Sequence, residues 1–306
     1  MQRIDFRAMN CGIAAVIDTE LPAAGELLNC VPSWFAAWEQ CLSRFIASSE
    51  LSQLNAAHNG DWIRVSPILW DVLQRATWAA DWSDGLVSAL VGTALEAAGY
   101  DRSFEVIRSA TTTTHAFAPT VTRLCDGTLE LDASRQAVRL PPGAKLDLGG
   151  VAKGWAAHNT VQRLSEFGPA LVDAGGDIAM TARADAETWP IEVAHPHGDS
   201  SPELLCVPCG GVATSGRDYR RWRTMNAWQH HLIDVRTGQP AQTDVLSATV
   251  IAPDVMMAEA AAKTALILGT GAGMDWLEAH EALAGLLIRG DGRVLHSSRL
   301  GGYLWR

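Results

Sequence analysis

The stretch Asp147-Leu148-Gly149-Gly150-Val151-Ala152-Lys153-Gly154-Trp155 decides the reading of this chain. A glycine pair stands directly before a segment, Val151 to Phe167, whose apolar residues recur at helical spacing, and Lys153 falls in its first turn. Backbone N–H groups and the positive end of the helix dipole suit an anion at such a place. Lys153 adds a point charge. The spacing is neither the GxxxxGK[ST] phosphate loop nor the GxGxxG dinucleotide fingerprint. Taken alone, the block reads equally as a tight strand-to-helix turn carrying a solvated lysine.

It does not stand alone. Val172-Asp173-Ala174-Gly175-Gly176-Asp177, Ala213-Thr214-Ser215-Gly216 and His230-His231-Leu232-Ile233-Asp234 follow, the last running on to Arg236-Thr237-Gly238. Each block joins backbone that glycine frees for close approach or positive φ to one or two polar side chains at the end of an apolar segment. Together they look like one ligand site assembled from several loops, for a large, phosphorylated ligand. The carboxylates of Asp173 and Asp177 suit a ribose hydroxyl, a base or a cation. Ser215 and Gly216 suit phosphate, while Thr214 and Ser215 suit a turn cap as well. His231 and Asp234, three apart, can pair an imidazole with its orienting carboxylate for proton transfer.

Composition narrows the partners. A chain of 306 residues, 48% hydrophobic and 19% charged, reads as a globular protein of one large domain or two, and the single-domain reading, 1–306, is the expectation here. A formal net charge of −10 argues against nucleic acid or an anionic membrane as partner. Met1 to Phe6 has no signal-peptide pattern, and no apolar run approaches the ~20 residues of a membrane span, so a cytoplasmic protein is expected. Among six cysteines, Cys206-Val207-Pro208-Cys209 is a lone CxxC, read as two buried or strand-borne thiols.

Periodicity predicts strands at Ile4–Phe6, Ile13–Ile17, Thr120–Leu124, Gly127–Leu131, Ala170–Asp173, Ile191–Val193 and Ala248–Ala252. It predicts helices over Ala23–Phe45, from Ser66-Pro67 to Trp82, over Val151–Phe167 and over Met256–Leu268, and a closing hairpin at Leu283–Leu295 around Gly290-Asp291-Gly292. Helices and strands do not alternate regularly, so the expected class is α+β, with mixed or antiparallel sheets and packed helices.

The ordered blocks resemble the ApbE-like flavin transferase family (FAD:protein FMN transferases). Phe6-Arg7-Ala8-Met9 is similar to that family's aMGT opening, with Asn10-Cys11 in place of Gly-Thr. Ser43-Arg44-Phe45 and Ser49-Glu50-Leu51-Ser52-Gln53-Leu54-Asn55 look like its SRF…SELSxLN element. Asp147 to Gly154 resembles DLGGIAKG, Ala174 to Ile178 resembles AGGDI, and Thr214-Ser215-Gly216 with His231-Leu232-Ile233-Asp234 resemble TSG and HIID. The resemblance implies an α+β fold that binds FAD, cleaves it, transfers FMN to a Thr or Ser hydroxyl of an acceptor protein and releases AMP. The implied FAD-binding residues are Met9, Asn55, Asp147, Lys153, Gly175, Gly176, Asp177, Thr214, Ser215 and Gly216. His231 and Asp234 become base and orienter.

The resemblance also implies Mg²⁺ against the pyrophosphate, held by the Gly150 carbonyl and two side chains four apart on one helix, Asp and Thr in the family pattern. This chain has Glu259 and Lys263 there. A glutamate still suits a cation, whereas a protonated lysine cannot ligate one. Lys263 is then either the cation's replacement, paired with Glu259 and the pyrophosphate, or a surface i, i+4 partner. Two more departures are Gly85-Leu86-Val87-Ser88-Ala89-Leu90, which lacks the family's Asp, Pro and Thr, and His158 in place of Asp. Two alternatives to the transferase follow: an FAD-binding protein that transfers nothing, and a pyrophosphatase giving FMN and AMP. Trp222 and Trp228, beside the last two motifs, are candidates to stack on a flavin or adenine ring.

Overall fold

The computed structural model describes residues 1–57, 60–109, 127–198, 203–224 and 227–305. They form two compact units, Met1–Phe35 with Lys153–Asp218 and Thr243–Arg306, and Ala36–Ala152 with Tyr219–Gln242.

The first unit is built on an eight-stranded antiparallel sheet. Its strands, in spatial order, are Gln2–Ala8, Cys11–Ile17, Ala170–Ala174, Asp177–Met180, Gly210–Gly216, Val245–Ala252, Ala284–Arg289 and Val294–His296. The first hairpin closes on two residues, with Ala8 opposite Cys11 and both Met9 and Asn10 at positive φ (49° and 58°). Two positive-φ residues make the turn whose twist matches that of the flanking strands. Asparagine tolerates that region well, and Asn10 stands where the family pattern has glycine. Gly175 and Gly176 make the corresponding turn between the third and fourth strands, at φ 69° and 92°.

One face of this sheet carries an apolar core in which Val16, Ile178, Val212, Ile251 and Leu286 meet Trp189, Ile191, Leu205 and Val207 of the hairpin Trp189–Val193/Glu203–Val207. The helix Val255–Leu268 packs against the strands Gly210–Gly216 and Val245–Ala252. Asp254 caps it, its carboxylate accepting from the Met257 N–H at 2.9 Å. The helix is buried almost all round, which explains its run of alanines. Small side chains let its backbone approach the sheet.

The second unit holds the helices Glu50–Ala57, Pro67–Trp82, Gly92–Ala97 and Phe104–Ser109, and a three-stranded antiparallel sheet in the order Ile63–Arg64, Ala137–Arg139, Glu130–Asp132. Ser66 is the N-cap of Pro67–Trp82, accepting from Leu69 N–H at 3.2 Å, with proline at the helix start as expected. Leu95, Tyr100, Phe104, Ile107, Trp222 and Ile233 form a second core.

The class is α+β and the sheets are antiparallel. Helices fall at Pro22–Leu42, Pro67–Trp82, Ala152–Leu164 and Val255–Leu268, close to their expected bounds, and the closing hairpin is Ala284–Arg289 with Val294–His296. Periodicity missed four helices, Glu50–Ala57, Gly92–Ala97, Phe104–Ser109 and Thr270–Ala279, the third of them in the stretch 101–145 that reads as short strands. Glu50–Ala57 reads as polar because two of its residues, Leu51 and Leu54, supply the buried face. Thr270–Ala279 carries two glycines, and packing on Val255–Leu268 overrides that weak propensity. The expected strand Thr120–Leu124 lies outside the described residues, and the one expected at Gly127–Leu131 is Glu130–Asp132. Among the described residues no helix is long and apolar enough to cross a membrane.

Candidate active site

In the first unit, four charged side chains form a buried chain. Lys153, on the first turn of the helix Ala152–Leu164, pairs with Asp177, which opens the strand Asp177–Met180. The Lys153 Nζ also lies 3.9 Å from Glu259 Oε1. Lys263, one turn further along the Glu259 helix, places its Nζ 2.9 Å from the same oxygen. Glu259 is 1% exposed, and the two ammonium side chains are 13% and 15% exposed, so the lysines are the members that solvent or a ligand reaches. Among the described residues, Glu259 Oε2 has no hydrogen-bond partner. It lies over Gly154, where a Cβ would come within 2.6 Å of it. Glycine at 154 is therefore what admits the carboxylate between the helices.

The glycine turn joins this cluster. Asp177 pairs with Ala213 in the ladder, and the Gly176 carbonyl accepts from Thr214 N–H at 3.1 Å. Asp173 holds the turn, its Oδ1 accepting from Gly176 N–H at 2.7 Å. Burial pushes the Asp173 carboxyl above the usual carboxylate range, against its backbone bonds and the charge of Lys153. A Cβ on Gly175 would meet Cys11 at 2.6 Å, so the turn sits tightly on the first hairpin. Thr214 is exposed and its hydroxyl lies 2.8 Å from that of Thr249. Ser215, its neighbour, points the other way and is buried.

In the second unit, the remaining motif residues brace one another. Asp147 accepts from Arg44 Nε through one oxygen and from Gly149 N–H at 2.9 Å through the other. Arg44 also donates to the Tyr100 carbonyl at 2.7 Å and stacks over the Phe45 and Tyr100 rings at 4.2 and 4.8 Å. Asn55 makes a reciprocal pair with Leu146, donating to its carbonyl at 2.9 Å and accepting from its N–H at 2.8 Å. Glu50 takes the Ser66 N–H at 2.6 Å and the Ser66 hydroxyl at 2.5 Å. The SRF, SELSxLN and DLGG blocks thus converge on the Asp147 turn, Arg44 through the Asp147 carboxylate and Asn55 through the Leu146 backbone.

A sequence model of the ApbE family matches residues 9–287. The chain belongs to the ApbE family. It is 30% identical over 282 residues to an FAD:protein FMN transferase of Treponema pallidum, covering 85% of this chain and 76% of that one. It is 25% identical to the Vibrio cholerae protein of the same name, over 82% of this chain and 75% of that one. Its fold is that of the ApbE protein from Thermotoga maritima, with a TM-score of 0.84, 23% identity and 100% and 99% coverage. The flavin transferase ApbE from Vibrio cholerae gives 0.81, at 21% identity and 99% coverage of both chains.

Set against these ApbE motifs, the expected residues sort by unit. Lys153, Gly175, Gly176, Asp177, Thr214, Glu259 and Lys263 come together in the first unit. Met9 belongs to the same unit, at the left-handed turn of the first hairpin, and Gly216 ends the strand that carries Thr214, opposite Ser247. Asn55, Asp147, Gly150, His231 and Asp234 belong to the second. The structure adds to the reading of Asp234 and changes that of Trp222. The Asp234 carboxylate takes Arg236, Oδ1 with Nε at 2.9 Å and Oδ2 with Nη2 at 2.8 Å. Burial pushes this carboxyl up, but the bonds and charge of Arg236 outweigh that and hold it below the ordinary carboxylate range. Trp222 is buried, its indole N–H donating to Ala98 O at 2.9 Å and its ring 5.3 Å from that of Tyr100, so it packs a core where a flavin platform was expected. Trp228 is 60% exposed, with Arg221 over its ring at 4.9 Å. Cys206 and Cys209 are free thiols on and after the strand Glu203–Val207.

Sequence reasoning read Asp173 as a ligand carboxylate where it holds a turn, and gave Arg44 no role of its own. Asp173 had a signal, since an aspartate ahead of Gly-Gly favours a side-chain-held turn. Arg44 was visible as part of a motif, but nothing local says that its guanidinium reaches Asp147, 103 positions on.

Proposed function

We propose that this protein is an FAD:protein FMN transferase. It cleaves FAD and passes FMN to a Thr or Ser hydroxyl of an acceptor protein. The observation that carries this reading is the 30% identity to the Treponema pallidum FAD:protein FMN transferase over most of both chains. The first-unit cluster supports it, because two lysines, each anchored by a buried carboxylate, offer positive charge beside a glycine turn and an exposed threonine, the surroundings a diphosphate needs. We read residues 1–306 as one functional domain, since the family match spans 9–287.

In the proposed step the acceptor hydroxyl oxygen attacks the phosphorus nearer the flavin. A phosphoester bond forms, the bond to the bridging oxygen breaks, and AMP leaves with that oxygen. Such a transfer depends on positioning and charge neutralisation. Lys153 and Lys263 neutralise the diphosphate, Thr214 and the Gly175–Gly176 turn position it, and Ser215 and Gly216 set the strand beneath. Asp147 and Asn55 hold the DLGG turn. His231 is our candidate to receive the hydroxyl proton, with Asp234 anchoring its loop through Arg236. The net charge of −10 suits a small-molecule substrate and a protein acceptor better than a nucleic acid or an anionic membrane.

Magnesium at Gly150 and Glu259 fits these residues poorly. A divalent cation seeks several oxygen ligands carrying net negative charge. Glu259 Oε1 is taken by Lys263, and Oε2 lies over Gly154. Two ammoniums against two carboxylates leave the cluster formally neutral.

The test is to incubate the purified protein with FAD and a flavin-acceptor domain, reading covalent flavin by in-gel fluorescence and AMP by chromatography. Fluorescent acceptor with matching AMP is expected, abolished when the acceptor Thr is replaced by Val. AMP with unlabelled acceptor would make the protein a pyrophosphatase, and intact bound FAD with no AMP would make it a binding protein.

A further inference from the structure

The buried Glu259–Lys263 pair carries an inference that rests on the transferase reading. We propose that Lys263 is a built-in cation for the FAD diphosphate, and that flavin transfer by this protein needs no divalent metal.

Three features of the pair support this. First, the ammonium is fixed. Lys263 Nζ lies 2.9 Å from Glu259 Oε1, and the carboxylate beneath it is fully buried, so the charge is held in one place, unlike a surface i, i+4 pair whose two ends are solvated. Second, the Glu259 oxygen on the lysine side is already engaged, and only Oε2, which has no hydrogen-bond partner among the described residues, is left. Lys153 and Lys263 both face Oε1, at 3.9 and 2.9 Å, and Oε2 is turned onto Gly154, where even a methyl group would collide. Third, the charge count fits an ammonium and opposes a dication. Asp177 pairs with Lys153 and Glu259 with Lys263, so the four side chains have no surplus negative charge to offer a metal. The lysine ends are instead the partly exposed members, able to face phosphate oxygens while their carboxylates stay behind them. A fixed ammonium in a water-poor site stabilises charge developing on the leaving phosphate without reorganising.

The experiment has two readouts. Mn²⁺ titration followed by electron paramagnetic resonance measures cation binding to the purified protein without FAD. Acceptor labelling is then run in excess EDTA and in excess Mg²⁺. The parent protein should show no stoichiometric Mn²⁺ site and label at the same rate in both. Lys263→Asp, which makes a carboxylate pair with Glu259 on one helix face, should gain one Mn²⁺ per chain and label in Mg²⁺ but not in EDTA. Lys263→Met, an uncharged variant of similar length, should gain no Mn²⁺ site and lose labelling by about a hundredfold or more. It keeps the test decisive if the aspartate variant does not fold. One tight Mn²⁺ per parent chain, removed by Glu259→Gln, would overturn the proposal, as would parent labelling abolished by EDTA. If no condition labels the acceptor, the transferase reading fails, and the parent Mn²⁺ titration still decides whether the site takes a metal.

Discussion

Replacing Lys263 by Met should destabilise the fold, and replacing both members of its ion pair should restore it. Glu259 is 1% exposed and its nearest charge is Lys263 at 2.9 Å. Removing one partner of a buried pair costs roughly 3–5 kcal/mol, because the other charge is left uncompensated. Lys153 remains 3.9 Å away and keeps part of that compensation, which puts Lys263→Met at the lower end, about 3 kcal/mol. With an unfolding entropy near 2.1 cal/mol/K per residue, a chain of 306 residues has about 0.6 kcal/mol/K, and the Tm should fall by about 5 °C. In Glu259→Leu/Lys263→Met both charges are gone and an apolar pair fills a buried site beside Val255, so most of the loss should return. Thermal unfolding followed by far-UV circular dichroism on the parent, both single variants and the double variant measures this as a coupling energy. A Lys263→Met variant that melts with the parent would refute the reasoning, since the pair would then behave as a solvated one. A double variant less stable than either single would refute it too.

Three further outcomes are expected. Asp173→Asn keeps the acceptor for Gly176 N–H and removes a buried charge. Because burial raises the folded carboxyl above the ordinary value of about 3.9, the parent loses stability as pH rises through that window, so the variant should gain in urea midpoint near neutrality and match the parent in acid; a gain that persists unchanged in acid would contradict this. Burial, aided by the hydrogen bond to Glu50, pushes the Cys41 thiol up to about 11, so alkylation mapped by mass spectrometry at mildly alkaline pH should mark the exposed Cys30 and Cys209 well before Cys41. Arg44→Lys gives up a planar donor set that serves Asp147 and the Tyr100 carbonyl together and should cost about 2 kcal/mol in urea unfolding, where an unchanged midpoint would show that the brace is not structural.

Much of the fold was legible locally. Helical spacing in Pro67–Trp82 and Val255–Leu268, strand character in Ala170–Ala174 and Val245–Ala252, and glycines at turns are short-range signals, and each element formed where its own residues favour it. The all-antiparallel sheet order was not legible, because it depends on pairings such as Cys11–Ile17 with Ala170–Ala174, far apart in the chain. In the site, glycine and acidic residues in motif blocks pointed to Lys153, the Gly175–Gly176 turn, Asp177 and Thr214, which the first unit brings together. Trp222 misled because an aromatic residue beside a motif looks the same whether it serves a core or a ligand. Beside His231 and Asp234, spacing alone could not say that Arg236 also engages the Asp234 carboxylate.

The sequence by itself determined the family and the kinds of residue at each motif, since both are carried by residue identity and order. It also exposed the substitution of Glu259 and Lys263 for the family's pattern. What that substitution means was decided by the tertiary structure. Spacing of four permits a solvated surface pair or a buried one, and those differ in solvation, which no local pattern encodes. Burial of Glu259 against the helix Ala152–Leu164, with Lys153 arriving from that helix and Gly154 leaving room for the carboxylate, turns an ordinary i, i+4 pair into a fixed positive charge.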